Sequence, residues 1–100
     1  MSDFKQYMVE FDILYPLDEE MISLIPQQQQ EVNKLFHKGV LLTYTLNAER
    51  TKLWAVFSLN NESKLITIVD NLPMSRYMDY RYHELSFHNT LHMIPSISLN

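Results

Sequence analysis

The sequence predicts an α+β domain whose strands and helices follow one another in the order β-α-β-β-α-β. In four short segments apolar residues recur at every second position, the period that is typical of half-buried strands. Two segments between them carry apolar residues at the three-to-four-residue spacing of an amphipathic helix. The chain has 100 residues, of which 46% are hydrophobic. That number suits one hydrophobic core and leaves no room for a second.

The first strand is predicted over residues 6–14. One of its faces is apolar throughout, and we expect this face to pack against helices. It comprises Tyr7, Val9, Phe11 and Ile13. The other face is mixed and is expected to meet a wetter environment. It comprises Met8, Glu10, Asp12 and Leu14.

The first helix is predicted to begin after Asp18, a suitable N-cap, and to run to Lys38. Pro26 interrupts the pattern, so either the helix kinks there or one helix ends and a second begins. Gly39, the only glycine, suits the position that follows a helix. The predicted core stripe is Ile22, Ile25, Val32, Leu35 and Phe36.

The second strand is predicted over residues 40–46, and the third over residues 53–59 after a short polar connection. Strict alternation places Val40, Leu42, Tyr44 and Leu46 on one face of the second strand, and Leu41, Thr43 and Thr45 on the other. The second helix is predicted from the stripe Leu65, Ile66, Ile68, Val69 and Leu72. The fourth strand is predicted over residues 78–85.

This element order is the ferredoxin-like arrangement, one antiparallel sheet with two helices on one face. If the fourth strand lies beside the first, Glu10 and Asp12 approach Arg81 and His83 on the face away from the helices. The same face carries the apolar residues Met8, Trp54 and Val56. We expect such a face to bind a second subunit, which predicts a homodimer or a larger homo-oligomer.

Composition argues against several classes of function. The formal net charge is −4 and basic residues are not clustered, so nucleic acid and anionic membranes are not expected partners. There is no cysteine, which excludes disulfides and thiolate chemistry. The single glycine excludes a glycine-rich phosphate loop, and no cofactor is expected. Neither a signal peptide nor a membrane-spanning apolar run is recognisable, so a cytoplasmic protein is expected.

Two histidines in the C-terminal segment have metal-ligand spacing. His88 and His92 are four residues apart and would share a face of a helix, with His83 or Glu84 as a third ligand. Nothing in the segment guarantees a helix, and two surface or interface histidines are the favoured interpretation. No metal site is therefore predicted. His37 is expected to interact with the C-terminal end of the first helix dipole.

Two residues are candidates for acid/base catalysis, because a carboxylate near a histidine can transfer protons. They are Glu10 and His83. The alternative is an ion-pair network at a subunit interface, which is the favoured interpretation. Tyr7, Tyr44 and Tyr77 are the candidate substrate-binding residues, since their hydroxyls can donate hydrogen bonds to a carbonyl or carboxylate. Core packing with each hydroxyl at the edge is an equally weighted alternative.

The segment between the second helix and the fourth strand resembles a signature of the muconolactone delta-isomerases. The residues that carry the resemblance are Leu72-Pro73-Met74 and Tyr77-Met78-Asp79. With length and element order, the resemblance covers roughly residues 5–85. It implies a single domain that pairs as a dimeric α+β barrel and assembles further. It also implies that residues 86–100 form a C-terminal extension on a neighbouring subunit.

The resemblance implies a cofactor-free isomerase that shifts a proton in a small lactone or cyclic acid, in aromatic catabolism. Members of the family typically have a histidine in the first strand, where this chain has Tyr7-Met8-Val9-Glu10. A non-catalytic oligomeric protein that binds a small ligand or has a structural role is therefore the alternative. A cofactor-free oxygenase is a weaker third possibility, because it is supported by the fold alone.

Overall fold

The computed structural model describes residues 4–14 and 18–89. Its elements are β1 (Lys5–Ile13), α1 (Glu19–His37), β2 (Leu41–Leu46), β3 (Lys52–Leu59), α2 (Glu62–Asp70) and β4 (Met78–Leu85), with a 3-10 turn (Ser75–Tyr77) before β4. The four strands form one antiparallel sheet in the order β2-β3-β1-β4. The predicted ferredoxin-like fold is confirmed, and β4 lies beside β1 as expected.

Both helices cover the same face of the sheet. The core contains the predicted apolar face of β1, where Tyr7, Val9 and Phe11 are almost fully buried. On the helix side it contains Val32 and Leu35 from α1, and Leu65, Val69 and Leu72 from α2 and the turn after it. None of the helices described is long and apolar enough to cross a bilayer.

α1 is one helix that continues through Pro26, so the alternative of two separate helices is wrong. Asp18 is the N-cap as predicted, and its carboxylate accepts a hydrogen bond from the Met21 backbone nitrogen over 2.9 Å. Gly39 follows the helix with φ 74°, the left-handed conformation that glycine adopts without steric cost. The helix therefore starts and stops where the sequence indicates.

The predicted core stripe of α1 is only partly correct. Val32 and Leu35 are buried, but Ile22, Ile25 and Phe36 are 51%, 40% and 41% exposed. The other buried positions of the helix are Met21 and Gln28. The error has a physical cause, because the buried line contains a glutamine that hydrophobicity does not mark as a core residue. In α2, similarly, Leu65 and Val69 are buried whereas Ile66 is 37% exposed.

Strict alternation in β2 is also wrong. Leu41 is opposite Phe57 and Tyr44 is opposite Ala55, and both partners are buried beneath the helices. Leu41 and Tyr44 therefore share the helix side although three positions separate them. The register shift between Leu41 and Thr43 marks a β-bulge at Leu42. An extra residue in one strand reverses the side on which every later residue lies.

Candidate functional site

The sheet face opposite the helices, here called the outer face, is formed by cross-strand rows of side chains. From one end of the sheet to the other, the rows are Ser58–Gln6–Leu85, Val56–Met8–His83, Trp54–Glu10–Arg81 and Lys52–Asp12–Asp79. Neighbouring rows are two residues apart along each strand, which is about 7 Å. Polar and charged residues predominate in three of the four rows. The outer face is thus the place where the candidate catalytic residues come together.

Four charged side chains on the outer face form a closed ion-pair network. The Lys52 ammonium donates to a Glu10 oxygen over 2.9 Å and also donates to Asp12. The Arg81 guanidinium donates to Glu10 over 3.0 Å and to Asp12 over 3.1 Å. Each carboxylate therefore accepts from both cations, and the charges of these four groups cancel. The expected approach of Glu10 and Asp12 to Arg81 is present in the structure.

The network lowers the pKa values of its carboxyl groups and raises the pKa of its lysine. The hydrogen bond from Lys52, helped by the charge of Arg81, holds the pKa of Glu10 below its ordinary 4.5 although partial burial opposes the shift. The hydrogen bond from Lys52 lowers the pKa of Asp12 in the same way. Hydrogen bonds to Asp12 and Glu10 raise the pKa of Lys52. All three groups are therefore held in their charged forms.

Lys52 is the member of the network that sequence reasoning missed. The third strand is predicted to start at Leu53, one residue too late, so the prediction leaves Lys52 outside the strand. In the structure Lys52 begins β3 directly opposite Asp12. The available signal was its position two residues before Trp54, which places both side chains on the same face.

His83 lies next to the network without joining it. It is opposite Met8 on β1, one row away from Glu10 and Arg81. Its side chain is exposed and makes no hydrogen bond or ion pair with any described residue. Glu10 and His83 thus lie in neighbouring rows of the outer face, and both imidazole nitrogens are available to hydrogen-bond a ligand.

An open cleft of about 490 Å³ lies at the sheet end beyond His83. Its lining is Phe4, Lys5, Gln6, Ser58, Glu84, Leu85 and Ser86. Lys5 and Glu84 form a loose ion pair across it, with 4.0 Å between the ammonium and the carboxylate. A pair of half-exposed charges at that distance is weakly coupled and easily separated by a charged ligand.

Tyr7 lies on the other side of the sheet, within the hydrophobic core. Its side chain is 1% exposed and meets the Tyr82 ring edge-to-face, with 6.3 Å between ring centroids. Burial, followed by the charges of Glu84 and Glu62, raises the pKa of its phenol. In this structure Tyr7 contributes packing rather than a surface accessible to ligand.

Tyr44 also lies on the helix side. Its hydroxyl accepts a hydrogen bond from the side-chain nitrogen of Gln28 over 3.0 Å. Burial raises the pKa of Tyr44, and the Gln28 hydrogen bond partly offsets the shift. Its hydroxyl hydrogen has no acceptor among the described residues, so it remains available for a ligand on that side.

Tyr77 lies at the opposite end of β1 from Tyr7. The Tyr77 carbonyl accepts from the Leu14 backbone nitrogen, which places the two tyrosines about 20 Å apart along the strand. The Tyr77 hydroxyl accepts from Arg76 over 3.2 Å, and Arg76 also pairs with Glu20. The three candidate tyrosines therefore do not line one small pocket, and none of them is on the face that carries Glu10 and His83.

No cluster of three metal-binding side chains is found within residues 4–14 and 18–89. His88 is described, and its buried Nε2 atom has no hydrogen-bond partner among the described residues. His92 and most of the predicted C-terminal extension lie outside the described residues. His37 is in the last turn of α1, as expected.

Comparison with known proteins supports the fold. No family model matches the sequence, and no curated protein matches it. Among solved structures, the chain is similar to the crystal structure of muconolactone isomerase, with a TM-score of 0.72 and 19% sequence identity. The alignment covers 85% of this chain and 92% of that one. The similarity therefore extends over nearly the whole of both chains, and at this identity it defines the fold.

Proposed function

We propose that the chain is a cofactor-free, muconolactone isomerase-like protein that acts on a small lactone or cyclic acid through its outer face. Glu10 and His83 are the proposed catalytic residues. The observation that carries the proposal is the placement of His83, which pairs with no residue that the structure describes, one row from a charge-compensated network. The fold similarity to muconolactone isomerase supports the substrate class.

The two residues have different proposed roles. Glu10 accepts hydrogen bonds from both Lys52 and Arg81, and its lowered pKa makes it a weak base. His83 has no such partners among the described residues, and imidazole is the side chain that most often transfers protons in enzymes. We assign the proton transfer to His83 and the orientation of the cations to Glu10. Moving a ring double bond requires removal of a proton from one carbon and its return to another, and one imidazole can perform both steps.

The cations of the network would hold the substrate. Arg81 has five N–H donors and Lys52 has three, whereas each gives two hydrogen bonds to the carboxylates. The remaining donors can bind the carboxylate or lactone carbonyl of a small acid. The substrate body would extend from the network past His83 towards the cleft at Gln6 and Ser58.

The same proposal includes assembly of two chains through their outer faces into a dimeric α+β barrel. Trp54 and Met8 are half-exposed on this face beside the network. A second sheet would cover both residues and exclude water around the charges, which strengthens their electrostatic effect on a bound substrate. Packing of residues 86–100 on a neighbouring subunit and a cytoplasmic location remain part of the proposal.

The test is muconolactone isomerisation followed by ultraviolet absorbance. We expect turnover by the wild type and a loss of roughly 100-fold or more in the variant His83→Ala, the usual effect of removing a general acid/base group. Glu10→Gln should reduce turnover less, because the network loses one charge but keeps its hydrogen bonds. Glu31→Gln, which replaces a half-exposed glutamate on α1, is the matched control. An inactive wild type would refute the proposed substrate, and full activity in His83→Ala would refute the proposed base.

A second candidate function is binding without catalysis, between the sheet and the helices. It is favoured by the Tyr44 hydroxyl, whose hydrogen has no acceptor among the described residues. Calorimetric titration with small lactones and cyclic acids would then give binding without turnover. Tyr44→Phe should weaken that binding by roughly tenfold, the cost of one unmatched hydrogen bond. Unchanged affinity in Tyr44→Phe would reject this site.

A further inference from the structure

α1 carries an apolar stripe that the fold of one chain leaves exposed. Ile22, Ile25 and Phe36 are 51%, 40% and 41% exposed, although they are large apolar residues on a helix with a well-packed core side. Gln29 and Asn33 continue the line between them, and their side chains are hydrogen-bonded to each other over 3.4 Å. These five residues are named here the α1 stripe.

The α1 stripe forms one continuous face. At about 100° of rotation per residue, its five members lie within an arc of about 80°. The centre of this arc is about 90° away from the centre of the buried line, which contains Met21, Gln28, Val32 and Leu35. The stripe therefore borders the buried line and extends beyond it as a second face, with the width of a helix–helix contact.

The sequence of the stripe is symmetric about Gln29. Ile22 and Phe36 are each seven residues from Gln29, and Ile25 and Asn33 are each four residues from it. Two copies of the helix packed antiparallel with their Gln29 residues facing would therefore place Ile22 of each copy against Phe36 of the other. An interface in which the same patch is used twice is what a two-fold axis requires.

The charges at the helix ends favour the same antiparallel arrangement. Glu19 is in the first turn and His37 in the last turn of α1. They are five helical turns apart, so they project from the same side of the helix, next to the stripe. Antiparallel pairing brings the acidic end of each copy to the basic end of the other, and it also opposes the two helix dipoles favourably.

We propose that α1 pairs antiparallel with α1 of a second copy of this chain, around a two-fold axis at Gln29, and that Ile22, Ile25 and Phe36 become buried. This interface is separate from the outer face proposed above. A chain with two different two-fold interfaces joins its dimers into assemblies of four or more chains. Gln29 fixes the register, because only this alignment places the two Gln29 amides against each other, whereas a shift by seven residues would place Gln29 against Ile22 or Phe36.

The absence of cysteine from the chain permits a clean crosslinking test. Gln29→Cys places one thiol of each copy at the proposed axis. Gln27→Cys places the thiol about 160° around the helix from Gln29, at another exposed glutamine. With a short bismaleimide crosslinker we expect Gln29→Cys to form a covalent dimer and Gln27→Cys to remain largely uncrosslinked. Equal crosslinking would overturn the proposal and indicate another occupant of the stripe, such as residues 90–100.

Sedimentation of variants provides a second, independent measurement. Ile22→Ser with Phe36→Ser should weaken the assembly step that follows the outer-face dimer by roughly tenfold or more, because the interface buries the exposed halves of four apolar side chains, which together exceed the ~1.4 kcal/mol of a tenfold change. Ile66→Ser, an exposed apolar residue on α2, is the control and should leave all masses unchanged. Masses equal to wild type in the double variant would overturn the proposal. Loss of the outer-face dimer would leave the α1 crosslink intact, so the two proposals fail separately.

Discussion

The side-chain nitrogen of Gln28 donates a hydrogen bond to the Tyr44 hydroxyl over 3.0 Å, which joins α1 to β2 beneath the surface. The oxygen of the same amide accepts from the Met74 backbone nitrogen over 3.1 Å. Gln28 is 5% exposed, and it is the only buried polar residue among those described. One amide therefore connects the helix, the edge strand and the turn that leads into β4.

Replacement of Gln28 by leucine should destabilise the fold by about 1–3 kcal/mol, because the Met74 nitrogen loses its partner while it remains in a partly buried site. Tyr44→Phe should cost about 1 kcal/mol, since it leaves one amide hydrogen unpaired. Urea unfolding measures both free energies.

A double-mutant cycle checks whether the two residues act together. The pair Gln28→Leu and Tyr44→Phe should cost less than the separate costs combined, because either substitution alone already breaks the shared hydrogen bond. Gln27→Leu, at the exposed neighbouring position, should change the unfolding free energy by less than about 0.5 kcal/mol. A fully additive cycle would contradict a direct Gln28–Tyr44 contact.

The outer-face network should make the fold sensitive to acid. The pKa values of Glu10 and Asp12 are lowered in the folded chain, so the unfolded chain binds more protons as the pH falls towards 4. Their contribution to stability is present above the ordinary carboxyl pKa values, 4.5 and 3.8, and is lost as the pH falls through the lowered ones. The raised pKa of Lys52 adds no change near neutral pH, because its contribution is lost only above 10.5.

Lys52→Met tests this pH dependence. The hydrogen bond from Lys52 is the largest cause of both lowered carboxyl pKa values, so the variant should lose less stability than wild type between pH 7 and pH 3. Urea unfolding across that range gives the two slopes. Lys64→Met removes an exposed lysine that forms no ion pair with a described residue and should retain the wild-type slope. Identical slopes in wild type and Lys52→Met would contradict the role given to Lys52.

The sequence was sufficient for the strand order and for the meeting of Glu10 and Asp12 with Arg81, because alternation and topology together determine cross-strand neighbours. It was insufficient where a residue lies in an environment that its side-chain type does not predict. Gln28 is polar and buried, so hydrophobicity selected the wrong side of α1. The bulge at Leu42 has no sequence marker, and it reverses the alternation, so that Leu41 instead of Leu42 shares a face with Tyr44.

Trp54 should be required for association through the outer face. It is opposite Glu10 in the centre of this face, and in one chain its side chain is only half-buried. Trp54→Ser should therefore remove the species larger than two chains at micromolar concentration and leave at most the α1-paired dimer, which has twice the 11.9 kDa mass of one chain. Ile66→Ser is again the control. A wild type that is monomeric under the same conditions would contradict the face-to-face dimer itself.

Pro26 should limit the stability of α1. A proline inside a helix has no backbone N–H to donate, so the carbonyl of Ile22 lacks its usual partner four residues on. Pro26→Ala restores that donor and removes the clash of the ring with the preceding turn. The helix propensities of the two residues differ by about 3 kcal/mol, but alanine also gives the unfolded chain more conformational freedom. We therefore expect a net stabilisation of about 1–2 kcal/mol in urea unfolding. A less stable Pro26→Ala variant would mean that the ring makes packing contacts worth more than the missing hydrogen bond, and the exposure of Pro26 argues against that outcome.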